Sequence, residues 1–159
     1  MVMPSNTRSS SAPSSGWLAL DRQLCFALYS ATHAMTRAYQ PLLAPLGLTY
    51  PQYLVMLVLW EQDGLTVTQL GERLALDSGT LTPLLKRLEA AGHLQRLRDA
   101  ADERRVRLQL SASGRALRGQ AASIPPAVAA ATGCGLDEIV SLTRRLTELT
   151  GQLRASNPT

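Results

Sequence analysis

Two cysteines carry the sequence's capacity for covalent chemistry: Cys25, within RQLCFALYSATHAMTRAYQP, and Cys134, within ATGCGLDE. A thiolate attacks a peroxide to give a sulfenic acid, which stays reversible when a second thiol condenses with it. Cysteine serves equally as a small, inert, buried apolar side chain, and for Cys25 both readings stand. Tyr29, four residues on, can reach Cys25 from the same face of a helix. The glycines flanking Cys134 permit backbone movement, and they also suit a plain loop between helices. His33 and His93 stand at no metal-ligand spacing from the thiols, so no metal and no cofactor are expected.

A second chemistry is ionic. Between Asp77 and Arg118 lie nine Lys or Arg residues against five acids, a surplus that equals the whole net charge of +4. A basic stripe concentrated in a quarter of the chain favours a polyanionic partner.

The elements that must position these groups are mostly helical. The chain has 159 residues, is 45 % hydrophobic and only 4 % aromatic, and is rich in Leu and Ala. That composition argues for a mainly α protein and against a sandwich or barrel. The longest apolar run, YLVMLVLW, is too short to span a bilayer, so no membrane partner is expected. Residues 1–16 lack an apolar stretch before a cleavage site and read as a disordered tail, which points to a cytoplasmic protein with reduced thiols.

From Trp17 to about Gln40, apolar residues recur at Leu24, Leu28, Ala31, Met35 and Ala38, predicting an amphipathic helix stopped by Pro41 and Pro45. A second helix is expected over about Pro51–Glu61. In LTVTQLGERLAL, Thr66 and Gln69 form a capping box, with Val67, Leu70 and Leu74 as the apolar stripe. A tight turn at LDS leads into GTLTPLLKRLEAAG, where Leu81, Leu84, Leu85 and Leu88 face a core. Pro83 is tolerated there if regular helix starts near Thr80. HLQRLR and RRVRLQL then read as two short strands, the second alternating Val106, Leu108 and Leu110 with polar residues. After them come a helix capped by Ser111 and ended before Pro125-Pro126, and an Ala-rich segment. A last helix over about Leu136–Arg154 carries a seam of Ile139, Leu142, Leu146, Leu149 and Leu153.

Two short helices with a tight turn, followed by an arginine-bearing hairpin, have the order of a winged helix-turn-helix. Its second helix would offer Ser78, Thr80, Thr82, Lys86 and Arg87 to a major groove, and Arg104 and Arg105 at the hairpin tip suit the adjacent minor groove. The first and last helices have no evident partners in this module. They predict a homodimer, and hence a pseudo-palindromic double-stranded operator. The expected organisation is a tail (1–16), a dimerisation and sensor part (17–50), a DNA-binding module (51–118) and C-terminal dimerisation helices (119–159).

The stretch LTVTQLGERLALDSGTLTPLLKRLEAAGHLQRLRDAADERRVRLQLSASGRAL resembles the multiple antibiotic resistance regulator (MarR) family. LDSGTLTPLLKRLE is closer still to its organic hydroperoxide resistance subgroup. The resemblance covers about Leu24 to Leu153 and implies a repressor, not an enzyme, that leaves its operator when an N-terminal cysteine is oxidised by an organic hydroperoxide. Cys25 takes that cysteine's place, Tyr39 and Tyr50 take those of two tyrosines contacting its sulfur, and Cys134 resembles the cysteine that closes an intersubunit disulfide. Asp102 and Arg104 match the wing pair. The segment from Pro125 to Gly135 follows no motif of the family.

Spacing adds a constraint. Cys25 and Tyr39, fourteen residues apart, would be separated by roughly 21 Å along one straight helix. They share a site only if a second copy of the chain supplies one of them. Two alternatives remain: the same fold gated by a small aromatic ligand with incidental cysteines, and a thiol peroxidase, which the lack of a C-x-x-C or of strand-helix-strand alternation disfavours.

Overall fold

The computed structural model describes residues 16–157. The expected tail therefore lies, except for Gly16, outside the described residues. Two units divide the chain, Met1–Met35 and Thr36–Thr159, with the division inside the first helix.

In the first unit a 3-10 turn, Leu20–Arg22, precedes α1, Leu24–Leu43. The helix thus starts later than Trp17 and runs on past Gln40. Pro41 does not stop it, because a proline in the final turn forfeits only one backbone bond before the helix ends. The residues of this unit leave their apolar side chains uncovered: Leu24 is 61 % exposed, and Phe26 and Tyr29 are exposed as well.

In the second unit, a 3-10 turn with Pro45 follows α1 and ends at Gly47, whose φ of 67° lies in the left-handed region that favours glycine. α2, Tyr50–Glu61, is apolar on every face and buries Tyr53, Val55, Met56, Val58 and Leu59 as the central helix of the core. A capping box that sequence reasoning did not pick out opens it. Thr49 Oγ1 accepts from the Gln52 N–H, and Gln52 Oε1 accepts from the Thr49 N–H at 2.9 Å.

α3, Val67–Leu74, and α4, Ser78–Ala90, form the helical pair. Leu70, Leu81, Leu85 and Leu88 bury against α2, while Leu84 is half-buried. α4 starts at Ser78, not Thr80, so Pro83 stands inside regular helix. β1, Leu94–Arg98, pairs antiparallel with β2, Val106–Leu110, in the register Leu94 to Leu110 and Arg98 to Val106. Residues 65–66 run beside β2, with a bridge between Thr66 and Arg107 and a 2.8 Å bond from Leu108 N to the Leu65 carbonyl.

α5, Ala112–Ala121, is capped by Ser111 as expected. A helix that sequence reasoning did not find, α6 (Ile124–Thr132), occupies the Ala-rich segment. Pro125 and Pro126 sit in its first turn, where the N–H groups have no intrahelical acceptor, so they start the helix at no cost. α7, Leu136–Ser156, buries no residue, and Leu142, Leu146 and Leu153 are exposed. Among the described residues no single helix is long and apolar enough to cross a membrane.

Candidate nucleic-acid interface and thiol site

The capping box expected at the start of α3 is present: Thr66 Oγ1 accepts from the Gln69 N–H, and Gln69 Oε1 accepts from the Thr66 N–H at 2.9 Å. The turn that follows closes through Leu76 N donating to the Gly71 carbonyl at 3.0 Å, with Ala75 in the left-handed region at φ 54°. A Cβ at Gly71 would sit 2.7 Å from the Leu76 carbonyl oxygen, so this tight turn requires glycine. Asp77 then caps α4, accepting from the Thr80 N–H at 2.8 Å and the Thr80 hydroxyl at 3.1 Å. The N–H bond from Thr80 is the main cause that holds the Asp77 carboxyl below its ordinary range.

Anchored by its leucines, α4 presents Ser78, Thr80, Lys86 and Arg87 to solvent, with Thr82 half-buried and its hydroxyl donating to the Ser78 carbonyl at 2.7 Å. Two of the expected base-reading hydroxyls are thus donors within their own turn. What they offer a partner is acceptor lone pairs and a methyl group.

Glu89 joins α4 to the hairpin, accepting from Arg96 N at 3.0 Å and Arg96 Nε at 2.8 Å. These bonds, the backbone one first, lower the Glu89 carboxyl. At the hairpin tip Asp102 accepts from Arg104 N and Nε at 3.1 and 3.3 Å, and its second oxygen lies 3.6 Å from Arg105 Nε. The Arg104 side chain is 93 % exposed. Between helical pair and hairpin lies a concavity of about 480 Å³, with Thr68, Gln69 and Thr82 on one wall and Arg96, Arg105 and Arg107 on the other.

The thiol residues fall in different units. Cys25, in the first, is exposed and free. Tyr29 on the same helix packs edge-on to His33, ring centroids 4.4 Å apart. In the second unit Cys134 is free and half-buried. It follows Gly133 (φ 69°), takes a backbone bond from its N–H to Thr132 Oγ1 at 3.1 Å, and keeps Sγ 3.8 Å from the Thr132 carbonyl oxygen.

The same unit brings Tyr39 and Tyr50 together across the turn between α1 and α2, centroids 4.7 Å apart. Tyr53 joins them at 5.8 and 6.5 Å, and its other side meets Trp60 at 6.3 Å. Burial raises all three phenols above their ordinary pKa, so they remain protonated hydrogen-bond donors through the neutral range. Sequence reasoning had passed over Tyr53 and Trp60, although i+3 spacing from Tyr50 signals the first.

Residues 48–106 match the MarR family. The HTH-type transcriptional regulator TtmR of Methylorubrum extorquens is 56 % identical over 137 residues, which span 86 % of this chain and 70 % of that protein. The chain belongs to the MarR family. It is a MarR-family transcriptional regulator, and it is also similar to the organic hydroperoxide resistance transcriptional regulator of Bacillus subtilis, 51 % identical over 68 % of this chain and 74 % of that one. Among solved structures, reduced AbfR bound to DNA superposes with a TM-score of 0.70 at 34 % identity, over 84 % of this chain and 94 % of the other. AbfR of Staphylococcus epidermidis gives 0.71 over 84 % and 92 %. Disulfide-formed AbfR gives 0.58 at the same identity, over 82 % and 92 %. The mainly α fold with a two-stranded wing is thus that of winged-helix regulators of this family.

Proposed function

We propose that this MarR-family regulator is a homodimeric repressor that binds a pseudo-palindromic operator and releases it when an organic hydroperoxide oxidises Cys25. The observation that carries the reading is the Tyr39–Tyr50 pair, two protonated phenols 4.7 Å apart on a chain whose own Cys25 lies fourteen residues along α1 from Tyr39. The rise along α1 keeps Cys25 from Tyr39 of its own copy, so a two-fold dimer completes the site by offering Cys25 to the partner subunit. The uncovered apolar residues of the first unit, and separately those of α7, supply surface for such a dimer.

In this reading the DNA-binding module spans residues 51–118, flanked by dimerisation parts at 17–50 and 119–159, in a cytoplasmic protein. Ser78, Thr80, Thr82, Lys86 and Arg87 face the major groove. Arg104, oriented by Asp102, and Arg105 take the minor groove or its phosphates. The Cys25 thiolate attacks the distal peroxide oxygen, the O–O bond breaks, and an alkoxide leaves as alcohol after protonation, with the sulfur oxidised to sulfenic acid. The Cys134 thiol of the second subunit then displaces water from that sulfur to form a disulfide. Tyr29, the local phenol, lies one turn from Cys25 and borders the same sulfur.

Operator retardation before and after cumene hydroperoxide, with a non-reducing gel of both samples, tests the scheme. Loss of binding should coincide with a dimer-sized band. Cys25→Ser should bind DNA and ignore peroxide; a Cys25→Ser protein still released by peroxide refutes the sensor. A second reading, gating by a small aromatic ligand, is favoured by a cleft of about 230 Å³ lined by Tyr53, Trp60, Glu61 and Arg118. Release by benzoate without oxidation would select it.

A further inference from the structure

The hairpin tip carries Arg104 into solvent, and Asp102 can aim it only relative to the tip itself, since both stand on the same loop. Something must hold the loop to the body. Asp99, the loop's first residue, is a carboxylate only 7 % exposed. Its Oδ1 accepts from the Ala101 N–H at 2.9 Å, and its Oδ2 from Arg107 Nε at 2.8 Å. Arg107 in turn donates through Nη1 to the Gly64 carbonyl oxygen at 2.9 Å, in the turn between α2 and α3. Asp99 N donates to the Arg105 carbonyl at 2.8 Å, and Arg105 N to the Asp102 carbonyl at 2.9 Å, which closes the loop on itself. Asp63 secures the far end of this chain of bonds. Its Oδ1 accepts from the N–H groups of Gly64 and Leu110, both at 2.9 Å, and its Oδ2 from Arg115 at 3.0 Å.

The Asp99–Arg107 ion pair by itself adds little stability, because its guanidinium is half exposed. What the arrangement supplies is direction: a planar guanidinium held at two of its nitrogens fixes the loop relative to the α2–α3 turn. We propose that Asp99, acting through Arg107 on Gly64, is the positioning residue that sets the wing against α3 and thereby aims Arg104 at the DNA. The inference rests on the DNA-binding reading above.

A duplex recovered from a random-sequence pool by the wild-type protein serves as probe, with affinity measured over a series of salt concentrations. Arg104→Ala is expected to weaken binding by about tenfold and to lower the salt slope by about one. Asp99→Asn and Arg107→Gln should each weaken binding by a similar factor in the wild-type background, and should add nothing in the Arg104→Ala background. A merely structural role would lower thermal stability and would cost the same affinity in both backgrounds. That additivity, or wild-type affinity for Asp99→Asn, overturns the proposal. Arg107→Gln alters the exposed side of the pair, so it carries the test if Asp99→Asn does not fold. A wild-type protein that recovers no duplex overturns the DNA-binding reading itself, whereas retained wild-type binding with an additive cycle overturns only the positioning role.

Discussion

Adding one methyl group to α5 should have opposite effects at two of its glycines. A Cβ at Gly114 would collide with the His93 carbonyl oxygen and lie 2.9 Å from its carbon and 3.3 Å from its Cα, all backbone atoms that cannot rotate away. At Gly119 a Cβ meets nothing within 4 Å. To relieve the first clash, the start of α5 must move away from His93, and three bonds converge there. Ser111 N donates to the His93 carbonyl at 3.0 Å, Gly114 N to Ser111 Oγ at 3.0 Å, and Trp60 Nε1 to the Gly114 carbonyl at 2.9 Å.

Overpacking of this kind costs about 1–3 kcal/mol, and stretching the part-buried Trp60 bond about 1 more. The better helix propensity of alanine returns about 1 kcal/mol. Gly114→Ala should therefore lose about 1–3 kcal/mol, a large share of a total of roughly 5–15. Gly119→Ala should gain about 0.5–1 kcal/mol. Urea unfolding reads both, with Trp60 fluorescence reporting whether α2 and α5 have parted. If Gly114→Ala proves as stable as Gly119→Ala, the close approach of α5 to His93 is wrong.

Tyr50→Phe removes a hydroxyl but keeps the ring against Tyr39 and Tyr53; under the proposed sensor, in which that hydroxyl donates to the partner's thiolate, a loss of about 1.5–3 kcal/mol should slow Cys25 oxidation by tenfold or more, as read by stopped-flow consumption of cumene hydroperoxide. An unchanged rate would remove Tyr50 from the thiol site. The carboxyls of Asp77, Glu89 and Asp99 are lowered in the folded protein, so their stabilisation is complete above the ordinary carboxylate range and is lost as pH falls through the depressed values. Thermal melts should fall progressively in acid below about pH 4, and Glu89→Gln should flatten that fall. The raised phenols of Tyr39, Tyr50 and Tyr53 act at the other end: their contribution is present below about pH 10 and is lost as pH rises through their folded values, so melts should also fall in strong alkali.

Most of the helical pair and wing can be read directly from residue order because their signals are local. The Thr66–Gln69 box, the leucine stripe of α4 and the alternation of β2 each report a contact within a few residues, and each is found where the periodicity put it. Prolines misled where their effect depends on position within a helix. Pro41 lies in a last turn and Pro125 in a first, so one fails to stop a helix and the other starts one.

The sequence by itself determined the class of this protein: a basic winged module between two unpartnered amphipathic helices, with one thiol on the first of them. It could not determine which distant residues meet. Trp60 donates to the Gly114 carbonyl only because α5 packs on α2 in the core. Asp99 and Arg107 reach Gly64 only because residues 65–66 lie beside β2. Such contacts join segments tens of residues apart, and no local period encodes them; closure of the core around α2 brings them together. An Asp in a hairpin loop reads in sequence as a turn residue, and only its burial in the folded chain makes Asp99 an anchor for the wing.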